Sequence, residues 1–230
     1  MEIWRQVFRR SARMGLGYVV LSLVMGIFLS VGLNVGAAAG NVVGPNGNLV
    51  PVGGILSGIV VPLAALIGLV ITTPVYLLFV NDKNSGVLEY LLAVGMDQRE
   101  IFLGYLKASV ALSLVALVPV LLIHTAFMSS GLWGTLFGSG LALATGVSDV
   151  ALVTVLMTTF SSMQRRPTGM NSPLGITVGV FFIMPEIFLV SLLRTAAVYL
   201  EVGVALTLLV LAVGFLLSLG RVVRREKLLP

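Results

Sequence analysis

Cysteine is absent from this chain of 230 residues, and histidine occurs once, as His124. Without cysteine there is no disulfide, thiol nucleophile or thiolate metal site. One histidine cannot supply the paired ligands of a zinc protease, and no motif frames a serine nucleophile. The chain also lacks the Gly-x-x-x-x-Gly-Lys-Ser/Thr loop that cradles the phosphates of ATP. These absences predict that the chain is not an enzyme and that it binds no cofactor or metal itself.

Charge is scarce as well. Charged residues make up 10% of the chain, hydrophobic residues make up 58%, and the mean hydropathy is +1.09. Soluble domains carry about 25% charged residues, so this composition predicts an all-α integral membrane protein. About 20 apolar residues cross a bilayer, and the length therefore fits a single transmembrane domain over residues 1–230. No basic face with interleaved aromatics is visible, which argues against a nucleic-acid partner.

The apolar runs divide the chain into six predicted transmembrane helices, over residues 15–39, 56–80, 101–123, 133–160, 174–193 and 202–219. A shorter amphipathic stretch precedes them. Its apolar residues Ile3, Trp4, Val7 and Phe8 follow helical spacing and alternate with arginines. Aromatics at the acyl boundary and arginines at head groups are typical of a helix that lies in the membrane interface. We therefore predict an interfacial helix over residues 1–13.

The basic residues lie almost entirely on one side of this six-span arrangement. With the N-terminus in the cytoplasm, only Arg194 faces the exterior, whereas Lys107 lies near the cytoplasmic end of the third span. Because cytoplasmic flanks of membrane proteins are rich in Lys and Arg, both termini are predicted to be cytoplasmic. The cytoplasmic basic residues are then Arg5, Arg9, Arg10, Arg13, Lys83, Arg99, Arg165, Arg166, Arg221, Arg224, Arg225 and Lys227.

Between the second and third spans lies a polar segment with a leucine stripe. Leu88, Leu91, Leu92 and Gly95 follow the i, i+3, i+4, i+7 pattern of one helix face. Gly95 suits the left-handed conformation that ends a helix, and Asp97 suits the start of the next one. A short helix over residues 84–95 is therefore predicted. Its leucines would lie either in the lipid interface or in a groove on a cytosolic partner.

Small residues recur every four positions in two of the spans. Such spacing lets helix backbones approach closely in a bilayer. Two roles are compatible with this spacing: helix packing within one subunit and an interface with a second copy. The rows consist of Ser22, Gly26 and Ser30 in the first span and of Gly134, Gly138, Ala142 and Gly146 in the fourth.

The polar segment and the start of the third span read Asp82-x-x-x-Gly86-Val87-x-Glu89-x-Leu91-Leu92-Ala93, then Asp97-x-x-Glu100-Ile101-x-x-Gly104. This order resembles the membrane subunits of type 2 ABC exporters, and so does the six-span plan with its N-terminal amphipathic helix. The resemblance implies that residues 84–95 form the coupling helix, which docks on an ATP-binding subunit. The implied contact residues are Gly86, Val87, Leu88, Glu89, Leu91 and Leu92.

The same resemblance implies a function and a set of partners. The chain would be the permease subunit of an ATP-driven exporter, a multi-pass protein of a prokaryotic-type cell membrane. ATP and Mg²⁺ would bind to a separate cytosolic ATPase subunit. A second permease copy or paralogue would complete the transporter, and the substrate path would run between the two bundles.

Two acidic residues fall inside predicted spans, Asp149 in the fourth and Glu186 in the fifth. An intramembrane acid is costly, and it is a candidate functional residue for that reason. Either residue could line a conduit or serve packing alone. They also support two alternative functions: a proton-coupled secondary transporter that uses Asp149 or Glu186, and a non-transport assembly or anchoring subunit.

Overall fold

The computed structural model describes residues 3–38, 41–43, 49–51, 60–127 and 132–163, together with residues 203, 206–207, 209–214 and 217–218. The predicted fifth span, 174–193, lies outside these ranges with Glu186, as do the loop that holds Arg165 and Arg166 and the basic tail. The described chain is helical apart from one pair of short strands. The prediction of a helical fold is therefore confirmed, with a small β-hairpin added.

The N-terminal region forms two helices with a bend between them. Helix α1 spans Ile3–Met14 and helix α2 spans Leu16–Ala38. Their axes differ by 74° when α2 is measured over Leu16–Phe28. Helix α1 covers the region where the sequence predicts an interfacial helix, and its location at a membrane surface stays a prediction.

The strands follow α2 and were not anticipated from the sequence. Strand β1 (Asn41–Val43) pairs antiparallel with strand β2 (Leu49–Pro51), and Val42 lies opposite Val50. Valine favours extended structure because its branched side chain packs well on a pleated surface.

Four further helices build the rest of the described fold. They are α3 (Val60–Asn84), α4 (Val87–Ala93), α5 (Gln98–Phe127) and α6 (Leu132–Met163). Helix α4 is shorter at both ends than the predicted helix over residues 84–95. The described residues between 203 and 218 are helical, and Ala212 among them packs against Leu152 of α6.

The core lies where α3 and α5 pack on α6 and where α1 and α2 cover α5. Its fully buried members include Ile71, Leu78 and Phe79 of α3 and Leu112 and Leu117 of α5. The small residues Ser22 and Gly26 of α2 are also buried, so this part of the predicted row serves packing inside the subunit.

Large apolar side chains cover much of the remaining surface. On α2 they include Leu16, Val24 and Phe28, whose side chain is 73% exposed, and on α5 they include Val115 and Leu122. Within the described residues, Gln98–Ile123 is the segment that is long and apolar enough to cross a bilayer as one helix. Half of that segment is buried inside the protein, a property that it shares with core helices of soluble proteins.

Candidate functional site

The motif residues of the polar segment converge where α1, the end of α3, α4 and the start of α5 meet. We call this region the junction and define it by Arg10, Asp82, Tyr105 and helix α4. Asp82 lies in the last turn of α3, and Tyr105 lies near the start of α5. The short connection through α4 brings these two helix ends side by side.

Asp82 is the centre of the junction. Its side chain is 1% exposed, and both carboxylate oxygens are hydrogen-bonded. The Arg10 guanidinium donates to Oδ2 at 3.0 Å and to Oδ1 at 2.6 Å. The Tyr105 hydroxyl donates to Oδ2 at 2.6 Å. This bidentate pair fixes the direction of Arg10 as well as its distance, so one buried carboxylate ties α1 to α3 and α5.

Aromatic side chains reinforce the contact between α3 and α5. The Phe79 ring lies 5.1 Å from the Tyr105 ring at an interplanar angle of 87°, and 5.4 Å from the Phe102 ring. Aromatic pairs of this kind contribute about 0.5–1.5 kcal/mol each, beyond the stabilisation that comes from the surface area the rings bury. Tyr105 is thus held in place by its ring and by its hydroxyl.

Lys83 follows Asp82 in the chain, and its side chain is fully buried. Burial lowers the pKa of the Lys83 ammonium below the ordinary value of 10.5 because the charged form loses its hydration. The last turn of α3 therefore buries two polar side chains, Asp82 and Lys83, next to an apolar core.

The chain approaches neighbouring helices closely at both ends of α1, where an added side chain would obstruct the contact. A Cβ on Gly104 of α5 would lie 3.0 Å from Cγ2 of Ile3, and a Cβ on Gly15 would lie 2.2 Å from Cγ of Pro74. Val7 of α1 is buried in the same core. The apolar face of α1 therefore covers the protein's own helices.

Two glycines in the left-handed conformation delimit α4. Gly86 has φ 76° and Gly95 has φ 92°. Beyond Gly95 the chain closes with the paired backbone bonds of a Schellman motif: the Gly95 N–H donates to the Leu92 carbonyl, and the Met96 N–H donates to the Leu91 carbonyl, each at 3.1 Å. The prediction that Gly95 ends this helix in the left-handed conformation is confirmed.

Helix α5 begins as the sequence suggested. Its first residue is Gln98, and the Asp97 carbonyl accepts a hydrogen bond from the Ile101 N–H at 3.1 Å. A residue whose carbonyl accepts the first helical bond occupies the N-cap position. Glu100 lies in the first turn, where a negative charge suits the helix dipole.

The leucine stripe of α4 faces inward. Leu88 is fully buried, and Leu91 and Leu92 are partly buried against the same core. The expectation that Leu88 lies in the lipid interface or in a partner's groove is therefore wrong, because the chain itself covers it. The outer face of the segment instead exposes Tyr90, which is 68% exposed, and Val94, which is 61% exposed.

The predicted contact residues therefore divide into two groups. Gly86, Val87 and Glu89 are partly exposed, whereas Leu88 is inaccessible from outside. Contact of this segment with an ATPase stays a prediction, and the face available for it includes Tyr90 and Val94.

Asp149 lies apart from the junction, in the middle of α6. It is buried together with its neighbour Ser148. One turn further along, the Thr154 hydroxyl lies 2.7 Å from the Ser109 hydroxyl of α5, a hydrogen bond between the two helices. Asp149 is thus one of several polar side chains inside the helix bundle, and it is not among the residues of the junction.

Sequence reasoning missed the junction's main contacts. The sequence predicts Arg10 to be a cytoplasmic arginine at the lipid head groups, whereas it pairs with Asp82, 72 positions away. Tyr105, 23 positions after Asp82, received no role. One feature of the sequence could have indicated the contact. A buried acid at the end of an apolar run requires hydrogen-bond donors, and the amphipathic N-terminal helix contains arginines that can donate.

No family model, curated protein or solved structure matches this chain. The described part of the chain also holds no group of three or more His, Cys, Asp or Glu side chains arranged to bind a metal ion. The junction thus consists of a buried carboxylate that joins three helices and of an outer face that exposes Tyr90 and Val94.

Proposed function

We propose that this protein is the permease subunit of an ATP-driven ABC exporter and that α4 docks on a separate cytosolic ATPase. The observation that carries this proposal is the construction of α4. A short helix bounded by two left-handed glycines is anchored by the fully buried Leu88, and it presents Tyr90 and Val94 outward. A surface of this kind can receive a push and pass it to the long helices.

The position of Asp82 supports the same proposal. It belongs to the motif that resembles the exporter family, and it joins three helices through Arg10 and Tyr105. A force on α4 would enter the helix bundle through this connection. The proposal includes six spans with both termini in the cytoplasm, a multi-pass location in the cell membrane, and a second permease copy or paralogue.

The absence of cysteine from the chain allows a direct test by cross-linking. In Tyr90→Cys the only thiol lies on the exposed face of α4, and in the control Val115→Cys it lies on an exposed apolar face of α5. Cells that also carry the native partners are treated with a thiol-reactive cross-linker. We expect Tyr90→Cys, and not Val115→Cys, to yield an adduct with a protein that contains an ATP-binding P-loop. Equal adducts from both variants, or none, would argue against docking through α4.

A proton-coupled transporter is the second candidate, and the burial of Asp149 favours it. A buried intramembrane acid is the group that such a transporter would protonate and deprotonate. Transport driven by a proton gradient in the absence of ATP, and lost in Asp149→Asn, would select this alternative. A stable complex without transport would instead identify an assembly or anchoring subunit.

A further inference from the structure

Helix α1 carries a row of arginines on the side that faces away from the core. Arg5, Arg9 and Arg13 are exposed and follow one another at intervals of four residues, so they lie along one side of the helix. With 1.5 Å of rise per residue, the row is about 12 Å long. No acidic residue occurs between positions 3 and 14.

Within the described part of the chain, Arg9 and Arg13 have no ion-pair partner. Arg10 differs from them because Asp82 neutralises it. Arg9 and Arg13 therefore remain available to an anion from outside the subunit.

The packing of α1 fixes the direction in which the row points. Val7 and Ser11 on the opposite side are buried, and the Arg10–Asp82 pair prevents the helix from rolling about its axis. A Cβ on Gly104 would already crowd Ile3, so α1 lies close against α5. The row is consequently a fixed surface.

The bend at Gly15 relates the row to the exposed apolar surface. Helix α1 lies nearly perpendicular to the start of α2, with 74° between their axes. Exposed apolar residues begin at once on α2 with Leu16 and continue to Phe28. A line of cations thus lies across one end of an apolar surface, which is the order of charge and hydrocarbon in one leaflet of a bilayer.

We propose that Arg5, Arg9 and Arg13 bind the phosphates of anionic lipid head groups in the cytoplasmic leaflet. The proposal rests on the membrane location given under Proposed function, and it does not depend on an ATPase partner. Guanidinium groups match phosphate oxygens in a bidentate way. Each arginine at an anionic surface strengthens binding by about five-fold, so the row favours an anionic lipid over a zwitterionic one.

Trp4 provides a probe at the site, because its ring lies 5.7 Å from the Arg5 guanidinium. The full chain with Trp133→Phe retains Trp4 as its single tryptophan. It is placed in nanodiscs of phosphatidylcholine and phosphatidylglycerol in equal amounts, with bromine on one lipid or on the other. We expect brominated phosphatidylglycerol to quench Trp4 emission more strongly, and the preference to decrease as salt screens the charges.

Two triple variants separate the row from overall charge. Arg5→Gln/Arg9→Gln/Arg13→Gln should abolish the preference and leave the melting temperature unchanged, because the three side chains are exposed. Arg221→Gln/Arg224→Gln/Arg225→Gln removes the same charge elsewhere and should keep the preference. The corresponding lysine variants of the row should restore part of it, since lysine keeps the charge and loses the bidentate geometry.

Equal quenching by the two lipids, or a preference that survives in the Arg5, Arg9 and Arg13 variant, would overturn the proposal. Loss of the Tyr90→Cys cross-link in that variant, without any change in lipid preference, would assign the row to an acidic surface of the partner and would also overturn it. Failure of the chain to enter nanodiscs would reject the membrane location itself. Absence of an ATPase adduct would affect only the exporter proposal.

Discussion

At the scale of single residues, the buried carboxylate of Asp82 has two donors of different kinds. Arg10 supplies a charge, and its side chain is 47% exposed, whereas Tyr105 supplies a neutral hydroxyl from a buried position. The two partners of the ion pair are therefore not equivalent. Arg10 can turn to water when Asp82 is removed, but Asp82 has no such alternative when Arg10 is removed.

This asymmetry predicts that Arg10→Met destabilises the protein more than Asp82→Asn does. Removing Arg10 leaves a charge without its counterion in the interior and should cost on the order of 2 kcal/mol, less than for a fully buried pair. In Asp82→Asn the amide oxygen can still accept from Tyr105. We expect the double variant to melt at a higher temperature than Arg10→Met alone, measured by thermal unfolding in detergent. A double variant that melts lower would contradict the ion-pair explanation.

Residue-scale contacts of this kind were the least predictable part of the molecule. Asp82 belongs to the motif that carries the family resemblance, but its partners come from distant positions of the chain. A sequence pattern reports neighbours along one helix, whereas the Arg10 contact depends on how α1 folds back over α5. The burial of Leu88 escaped prediction for the same reason: the stripe was visible, but its covering surface was not.

At the scale of elements, local chemistry predicted more. The end of α4 at Gly95 and the start of α5 after Asp97 follow from capping preferences that act within a few residues. The β-hairpin after α2 was missed because each strand has only three residues, too few to show a strand pattern in the sequence. The bend between α1 and α2 depends on Gly15, where backbone hydrogen bonding continues and the axis turns.

Three glycines, two at this bend and one against the far end of α1, give a graded prediction for alanine. In Gly15→Ala the new Cβ would lie 2.2 Å from the rigid ring of Pro74, so one helix must move, at a cost of about 1–3 kcal/mol. In Gly104→Ala the contact is 3.0 Å to the flexible Ile3 side chain, and the loss should be smaller. Gly17→Ala meets no atom within 4 Å and should be neutral or slightly stabilising.

Melting temperatures of these three alanine variants in one detergent test the packing of α1 on its neighbours. We expect Gly15→Ala to melt lowest, Gly104→Ala to be intermediate and Gly17→Ala to melt highest. Equal values for Gly15→Ala and Gly17→Ala would show that α1 does not pack on Pro74 in solution.

At the scale of the whole molecule, the helical character of the chain follows directly from its composition. The predicted number of spans and their predicted direction across the membrane depend on the charge distribution, because the six-span prediction leaves Arg194 as the one basic residue outside. Apolar surfaces on α2 and α5 fit contact with lipid, because soluble monomers rarely expose such large contiguous patches.

The predicted orientation can be measured on single-cysteine variants, since the chain has no native thiol. A membrane-impermeant maleimide applied to intact cells should label Asn46→Cys and should not label Arg99→Cys. In inside-out vesicles the pattern should reverse. Labelling of Arg99→Cys in intact cells would place α4 outside the cytosol and would exclude docking on a cytosolic ATPase.

Gly86 is hydrogen-bonded to both of the helices that flank it, and this has a geometric consequence. Its N–H donates to the Lys83 carbonyl at 3.3 Å at the end of α3, and its own carbonyl accepts from the Tyr90 N–H at 3.0 Å in α4. Only Ser85 and Gly86 lie between the two helices. Their 25 and 7 residues correspond to arms of about 37 Å and about 10 Å. If the two helices turn together about Gly86, a small displacement at the end of α4 becomes a displacement more than three times as large at the start of α3.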